Sequence, residues 1–233
     1  MDFLVSPLGW TNWLLLVASL INLGMAIFIF NRGIKNKINL YFSLLTFSCF
    51  LWSFNVFLYL SLVDIYWVKF CFQTSFVCAL GIAIFLFLFT VHFPFKSINL
   101  RVWQQYFLVI AFFVFSISAY TKWNLFSFSQ GGSFGNFIVE YGLIYHVAFS
   151  LFFVILVASS LIILWFKYRK IENIFRKDTF ILFWVILIGV ILGLYFNLFL
   201  DYLNNFKYEW LGPVFTLLMN MAVFYLIFFD KKQ

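Results

Sequence analysis

The segment TFILFWVILIGVILGLYFNLFL, residues 179–200, decides the class of this protein. Its 22 residues include no charged side chain. At about 1.5 Å per residue, a helix of this length rises about 33 Å, which matches the hydrocarbon core of a bilayer at about 30 Å. The segment therefore predicts a membrane-spanning helix.

The rest of the chain has the same character. Hydrophobic residues make up 65% of the 233 positions and charged residues 10%, and the mean hydropathy is +1.04. A soluble domain has about 45–50% apolar and about 25% charged residues. Disorder requires the opposite composition, with low hydrophobicity and high charge. The composition thus excludes both a soluble domain and a disordered chain, and indicates an all-α integral membrane protein.

The lengths of the apolar runs and the charges between them predict seven spans. We expect a single seven-transmembrane domain over residues 1–233, with little chain left for a soluble domain. The predicted spans are residues 8–30, 38–62, 67–93, 102–120, 142–166, 179–200 and 211–229. Pro94 is expected to end the third helix, because the residue before a proline disfavours the α conformation.

Basic residues are distributed unequally between the two sides of this arrangement. Connections one, three and five and the C-terminal tail hold 12 of the 15 lysines and arginines. Such residues favour the cytoplasmic side. The N-terminus is therefore predicted outside and the C-terminus in the cytoplasm. Contact with anionic lipid headgroups accounts for the net charge of +7, and nucleic acid is not implied.

The fourth connection, Thr121 to Tyr141, is the longest. Its glycines predict a loop, with a small hairpin as one form of it. The loop also carries five large aromatic residues, which we expect to pack on helix ends or to enter the membrane interface rather than stay in water. These are Trp123, Phe126, Phe128, Phe134 and Phe137. We expect the loop to cover the outer mouth of the bundle.

The chain lacks the polar signatures of intramembrane enzymes and pumps. It has two histidines, His92 and His146, on different predicted helices, and no predicted span has an acidic residue in its interior. Zinc proteases need two histidines on one helix, and proton pumps need buried carboxylates or basic relays. The three cysteines lie inside apolar runs, which indicates buried thiols. We therefore predict no catalytic residues, no metal site and no cofactor.

Uncharged polar residues gather at one depth near the predicted outer side. Asn55, Gln73, His146 and Asn197 belong to helices two, three, five and six, with Trp52 and Tyr145 beside them. An apolar aromatic wall with a few directed polar groups is typical of a ligand pocket. The competing interpretation is that these residues only join helices through hydrogen bonds.

Gly189 and Gly193 form a GxxxG pair on helix six. Small residues at this spacing let two helices approach closely. The pair favours a contact inside the bundle over one with a second protomer, although a homodimer stays open.

Several short motifs recur in an order and spacing that resemble a known family. They are Asn39-Leu40-Tyr41-Phe42 with Leu51-Trp52, Phe93-Pro94, Tyr141-Gly142-Leu143-Ile144-Tyr145, Asn197, Leu211-Gly212-Pro213-Val214-Phe215-Thr216, and Phe224-Tyr225-Leu226-Ile227. In this order they resemble the seven-transmembrane sensor region at the N-terminus of bacterial membrane-bound histidine kinases.

The resemblance implies a multi-pass receptor of the inner membrane. A small, partly apolar ligand would bind from outside, and helix seven would pass the signal to a cytoplasmic kinase or another effector. The resemblance to this family does not identify the ligand. Only Asp230 to Gln233 follow Phe229, so any kinase domain is expected outside this chain, which would be either an excised sensor domain or a stand-alone receptor. A small-solute transporter and a membrane scaffold subunit are the alternative functions.

Overall fold

The computed structural model describes residues 9–96, 98–130, 137–171, 176–200 and 203–229. Within these ranges it has seven helices long and apolar enough to cross a membrane, which confirms the predicted all-α bundle. They are α1 Trp10–Asn31, α2 Lys37–Ser61, α3 Ile65–His92, α4 Val102–Ala119, α5 Ser150–Lys170, α6 Arg176–Leu194 and α7 Leu211–Phe228. Two π-helical turns extend the helices, Ile144–Phe149 before α5 and Tyr195–Phe199 after α6.

Six of the helices pack side by side in a closed sequence. Helix α2 lies between α1 and α3, α5 joins α3 to α6, and α7 closes the sequence by packing on both α6 and α1. Helix α4 packs on α3 outside this group, and most of its large apolar side chains are exposed. A bilayer would cover these side chains. A helix in this bundle can therefore be apolar on the outward face as well as on the face that packs in the core.

The fifth connection is shorter than predicted. Its expected limits were Lys167 and Asp178, but α5 continues to Lys170 and α6 begins at Arg176. Basic side chains in the last turn of a helix interact favourably with its dipole. The charged residues between the two apolar runs therefore extend α5 and α6 instead of ending them.

Lys167 is the clearest departure from the predicted loop assignments. Its side chain is 2% exposed and lies inside the bundle on α5. Helix α3 ends at His92, as Pro94 predicts, and the last carbonyls of a helix lack intrahelical donors. The Lys167 ammonium lies 2.6–2.9 Å from four carbonyl oxygens there, those of Thr90, Val91, Phe93 and Phe95, and shares its three N–H donors among them. The side chain thus fastens α5 to the end of α3.

The fourth connection contains the hairpin that the glycines indicated. Strands β1 Leu125–Gln130 and β2 Phe137–Tyr141 pair antiparallel. The hairpin packs on the bundle through Phe128, whose ring lies 5.3 Å from that of Phe72 on α3. The backbone amide of Val139 donates to Oδ1 of Asn204 at 2.7 Å. The hairpin therefore covers this end of the bundle and is tied to the connection between α6 and α7.

One of the loop aromatics packs on the bundle as expected, and entry of the others into the membrane interface stays a prediction. Phe128 packs inward, but Trp123 and Phe126 are each 65% exposed. Phe134 and the side chain of Phe137 lie outside the described residues. The aliphatic residues Leu125 and Val139 of the hairpin are also buried, at 1% and 3% exposure.

Two contacts hold α7 in place. Asn220 Nδ2 donates to Asn22 Oδ1 on α1 at 2.9 Å, in the core. On the other side, a Cβ at Gly189 of α6 would lie 3.2 Å from the Met219 Cβ of α7. Gly189 thus makes a close helix contact within the bundle, whereas a Cβ at Gly193 would meet nothing within 4 Å.

Candidate functional site

A cavity of about 100 Å³ lies between α2, α3, α5, α6 and α7. It extends from the end of the bundle covered by the hairpin to Gly189 of α6 and Leu86 in the last quarter of α3. Its walls are mostly apolar and aromatic, and include Trp52, Phe76, Phe149 and Phe153. Four polar residues also line it, namely Ser75, Asn197, Glu209 and Thr216. This is the mixture of surfaces expected of a small-molecule site.

Asn197 lies in the π-helical turn at the end of α6. Its Nδ2 donates to the Gly193 carbonyl at 3.3 Å, and its Oδ1 is buried without a hydrogen-bond partner among the described residues. A π-helical turn often marks a functional position, because it re-aims side chains within a helix. Here the turn places an unpaired amide oxygen in the cavity lining.

Glu209 is a cavity residue that the sequence analysis missed. It was assigned to the sixth connection, Asp201 to Trp210, yet it is 3% exposed. The Tyr59 hydroxyl of α2 donates to Oε1 of Glu209, and Oε2 has no partner in the described part of the chain. A 3₁₀ turn at Phe206–Tyr208 brings the connection into the bundle before α7 begins.

One signal in the sequence could have indicated Glu209. It is the acidic residue closest to the start of α7, two positions before Leu211, and acidic groups are favoured at helix N-termini. The usual interpretation of such a residue is an exposed one at the membrane surface, so the signal did not predict burial.

The structure separates the six predicted ligand-binding residues into groups. Trp52 and Asn197 line the cavity. Asn55 is buried, and its Nδ2 donates to the Leu51 carbonyl at 2.7 Å and lies 3.9 Å from Cys78 Sγ. Gln73 is also buried. Neither Asn55 nor Gln73 belongs to the described lining.

The remaining two predicted residues lie in the π-helical turn before α5. Tyr145 and His146 belong to the turn Ile144–Phe149, but their side chains lie outside the described residues. The turn is the counterpart, on α5, of the one that carries Asn197. Ligand contact by any of the six residues stays a prediction.

A second cavity, of about 410 Å³, lies between α2, α3 and α4 at the opposite end of the bundle. Its walls are apolar, with Leu88, Leu108 and Phe112 among them. Its polar rim is basic and carries no acidic residue among the described lining, and consists of Lys37, His92, Lys96 and Gln105. We call this second cavity the basic groove.

No metal centre is present in the described part of the chain. Among those residues, no group of three or more His, Cys, Asp or Glu side chains could hold a metal ion. The thiols of Cys49, Cys71 and Cys78 are free and buried in apolar surroundings.

Comparison with known proteins agrees with the resemblance seen in the sequence. A family described as the N-terminal 7TM region of histidine kinase matches residues 14–231. The match begins in the second turn of α1 and extends past the end of α7. No curated protein and no solved structure gave a significant match.

Proposed function

This chain belongs to the N-terminal seven-transmembrane region of histidine kinases, and we propose that it is a sensor that binds a small ligand in the cavity between α2, α3, α5, α6 and α7. One observation carries the proposal. The cavity is lined on one side by Gly189 and Asn197 of α6 and on the other by Thr216 and Met219 of α7. Any occupant would therefore contact the last helix directly.

We further propose that α7 is the output element. A ligand shifts a conformational equilibrium only if it binds one arrangement better than the other, and a difference of about 1.4 kcal/mol changes the population ratio tenfold. Pro213 lies in the first turn of α7, where a proline is tolerated. A rigid tilt of α7 would thus carry the change across the membrane without a kink in mid-helix.

The partners follow from this assignment. With the N-terminus outside, the cavity would open towards the outer side of the inner membrane, and α7 would lead to a cytoplasmic kinase or another signalling effector. A separate domain would then catalyse phosphotransfer, and this region would not be an enzyme. The rim lysines of the basic groove would face the cytoplasmic leaflet, where anionic lipids are attracted to basic residues.

A matched pair of glycine substitutions tests the proposal. A Cβ at Gly193, which lines the cavity, or at Gly24 on α1, would meet nothing within 4 Å. In a fusion of this region to a histidine kinase core, Gly193→Leu should fill part of the cavity and change the basal autophosphorylation rate at least threefold. Gly24→Leu should leave the rate unchanged. Equal rates in both variants and the parent would contradict a role for the cavity in signalling.

A further inference from the structure

Two unpartnered oxygen atoms belong to residues that line the first cavity, the one between α2, α3, α5, α6 and α7. They are Oε2 of Glu209 and Oδ1 of Asn197, each buried without a hydrogen-bond partner among the described residues. Buried polar groups in proteins are almost always paired, because an unpaired one keeps the full cost of its lost hydration. Two such atoms in residues of one lining leave hydrogen-bonding capacity that an occupant of the cavity can use.

Both atoms call for a hydrogen-bond donor. Asn197 uses its Nδ2 to donate to the Gly193 carbonyl, so its remaining atom, Oδ1, can only accept. Glu209 accepts from the Tyr59 hydroxyl through Oε1, which leaves Oε2. With a cation beside it the Glu209 carboxylate is ionised, and an ionised carboxylate accepts at both oxygens. The missing partner is therefore a group with at least two N–H or O–H donors.

The two residues lie close to one another through α7. The Asn197 amide packs directly on Gly212, and the Gly212 amide nitrogen donates to the Glu209 carbonyl at 3.2 Å. Glu209 is thus one turn of chain away from the residue that Asn197 touches. The two residues therefore belong to the same end of the cavity lining.

The charge of Glu209 and the aromatic residues of the cavity lining favour a positively charged donor group. Glu209 is the one ionisable residue in the described lining, and no basic residue accompanies it there. A cation would compensate its charge. The rings of Trp52, Phe76 and Phe149 line the same cavity, and aromatic faces attract cations electrostatically.

We propose that the ligand of this cavity is a small primary amine, bound as its ammonium ion. The ammonium group has three N–H donors and one positive charge, which suits Glu209 Oε2 and Asn197 Oδ1 together. The apolar walls select a compact apolar body attached to the amine. This inference rests on the proposed function, which makes the cavity the ligand site, and adds the chemical class of the ligand.

Two probes of equal shape test the inference on the full chain in lipid nanodiscs. The probes are 2-phenylethylamine and its neutral counterpart 2-phenylethanol, and binding is measured by calorimetry against empty nanodiscs. We expect the amine to bind at least tenfold more tightly than the alcohol. Glu209→Gln, which keeps the acceptor for Tyr59, should reduce amine affinity at least tenfold and leave alcohol affinity unchanged. Asp64→Asn, at the exposed start of α3, is the matched carboxylate control and should change neither.

A second variant covers the case in which Glu209→Gln fails to fold. Asn197→Leu removes the other acceptor and should reduce amine affinity at least threefold without affecting the alcohol. Equal binding of the two probes, or no binding of the amine, would overturn the amine assignment. Amine binding that neither cavity substitution weakens would overturn it as well. Failure of the sensor function has a different signature, namely equal kinase output from the Gly193→Leu and Gly24→Leu fusions.

Discussion

The side-chain amide of Asn197, in the π-helical turn after α6, packs directly on the backbone of Gly212 in α7. A Cβ built on residue 212 would lie 1.5 Å from Nδ2 of Asn197. Only glycine leaves room for this contact. The position of Asn197, and with it one of the two unpaired oxygens, depends on a hydrogen atom at position 212.

Gly212→Ala should therefore disturb the cavity as well as the helix contact. The methyl group would force the Asn197 side chain away and break its bond to the Gly193 carbonyl. We expect a loss of about 1–3 kcal/mol of stability, typical of overpacking in a tight core, seen as a lower melting temperature in detergent. Gly24→Ala is the control, because its Cβ has open space, and it should not lower the melting temperature. Equal melting temperatures for the two variants would contradict the close contact.

Lys167→Met should destabilise the bundle although it removes a charge from the interior. The ammonium group shares its three N–H donors among four carbonyls at the end of α3, and a methionine would remove these donors. Charge-assisted hydrogen bonds contribute about 1.5–3 kcal/mol, so a loss of roughly that size is expected. Lys170→Met, at the exposed end of the same helix, should have little effect in the same thermal assay. An unchanged melting temperature in Lys167→Met would show that water takes over the hydrogen bonds of the ammonium group.

The orientation of the bundle can be tested with single cysteines. All three natural cysteines are buried, so they should react little with a membrane-impermeant maleimide. Ser129 on β1 and Lys35 between α1 and α2 are exposed and lie at opposite ends of the helices. In intact cells, Ser129→Cys should be labelled and Lys35→Cys should not, because basic residues favour the cytoplasmic side. The reverse pattern would place the N-terminus inside.

Anionic lipid should bind the basic groove through its rim lysines. Lys37 and Lys96 line this groove, and a lysine near an anionic surface contributes about 1 kcal/mol. The double variant Lys37→Gln/Lys96→Gln should retain fewer phosphatidylglycerol molecules in native mass spectrometry. Lys35→Gln, outside the described lining of the groove, is the control. Unchanged retention in the double variant would show that the groove does not select anionic headgroups.

The sequence predicted the parts of the structure that depend on local composition. The length of an apolar run sets whether a helix crosses the membrane, so the seven helices agree with the predicted spans, and Pro94 ends α3 where its ring excludes further helix. The glycines between Thr121 and Tyr141 indicated the hairpin for a similarly local reason. Family membership was also visible from the order of short motifs.

What only the tertiary structure decided is which polar groups lie inside. These helices are apolar on all sides, because lipid and core both accept apolar residues, so the sequence pattern does not show which face of a helix points inward. Lys167 and Glu209 therefore looked like residues of the membrane surface, and Asn55 and Gln73 looked as suited to the cavity as Asn197. The rotation of the helices buries Lys167 against α3 and brings Asn197 against Gly212. The inward fold of the 206–210 segment joins Glu209 to Tyr59. These are contacts between residues far apart in the chain, and their free energy depends on packing that no single segment contains.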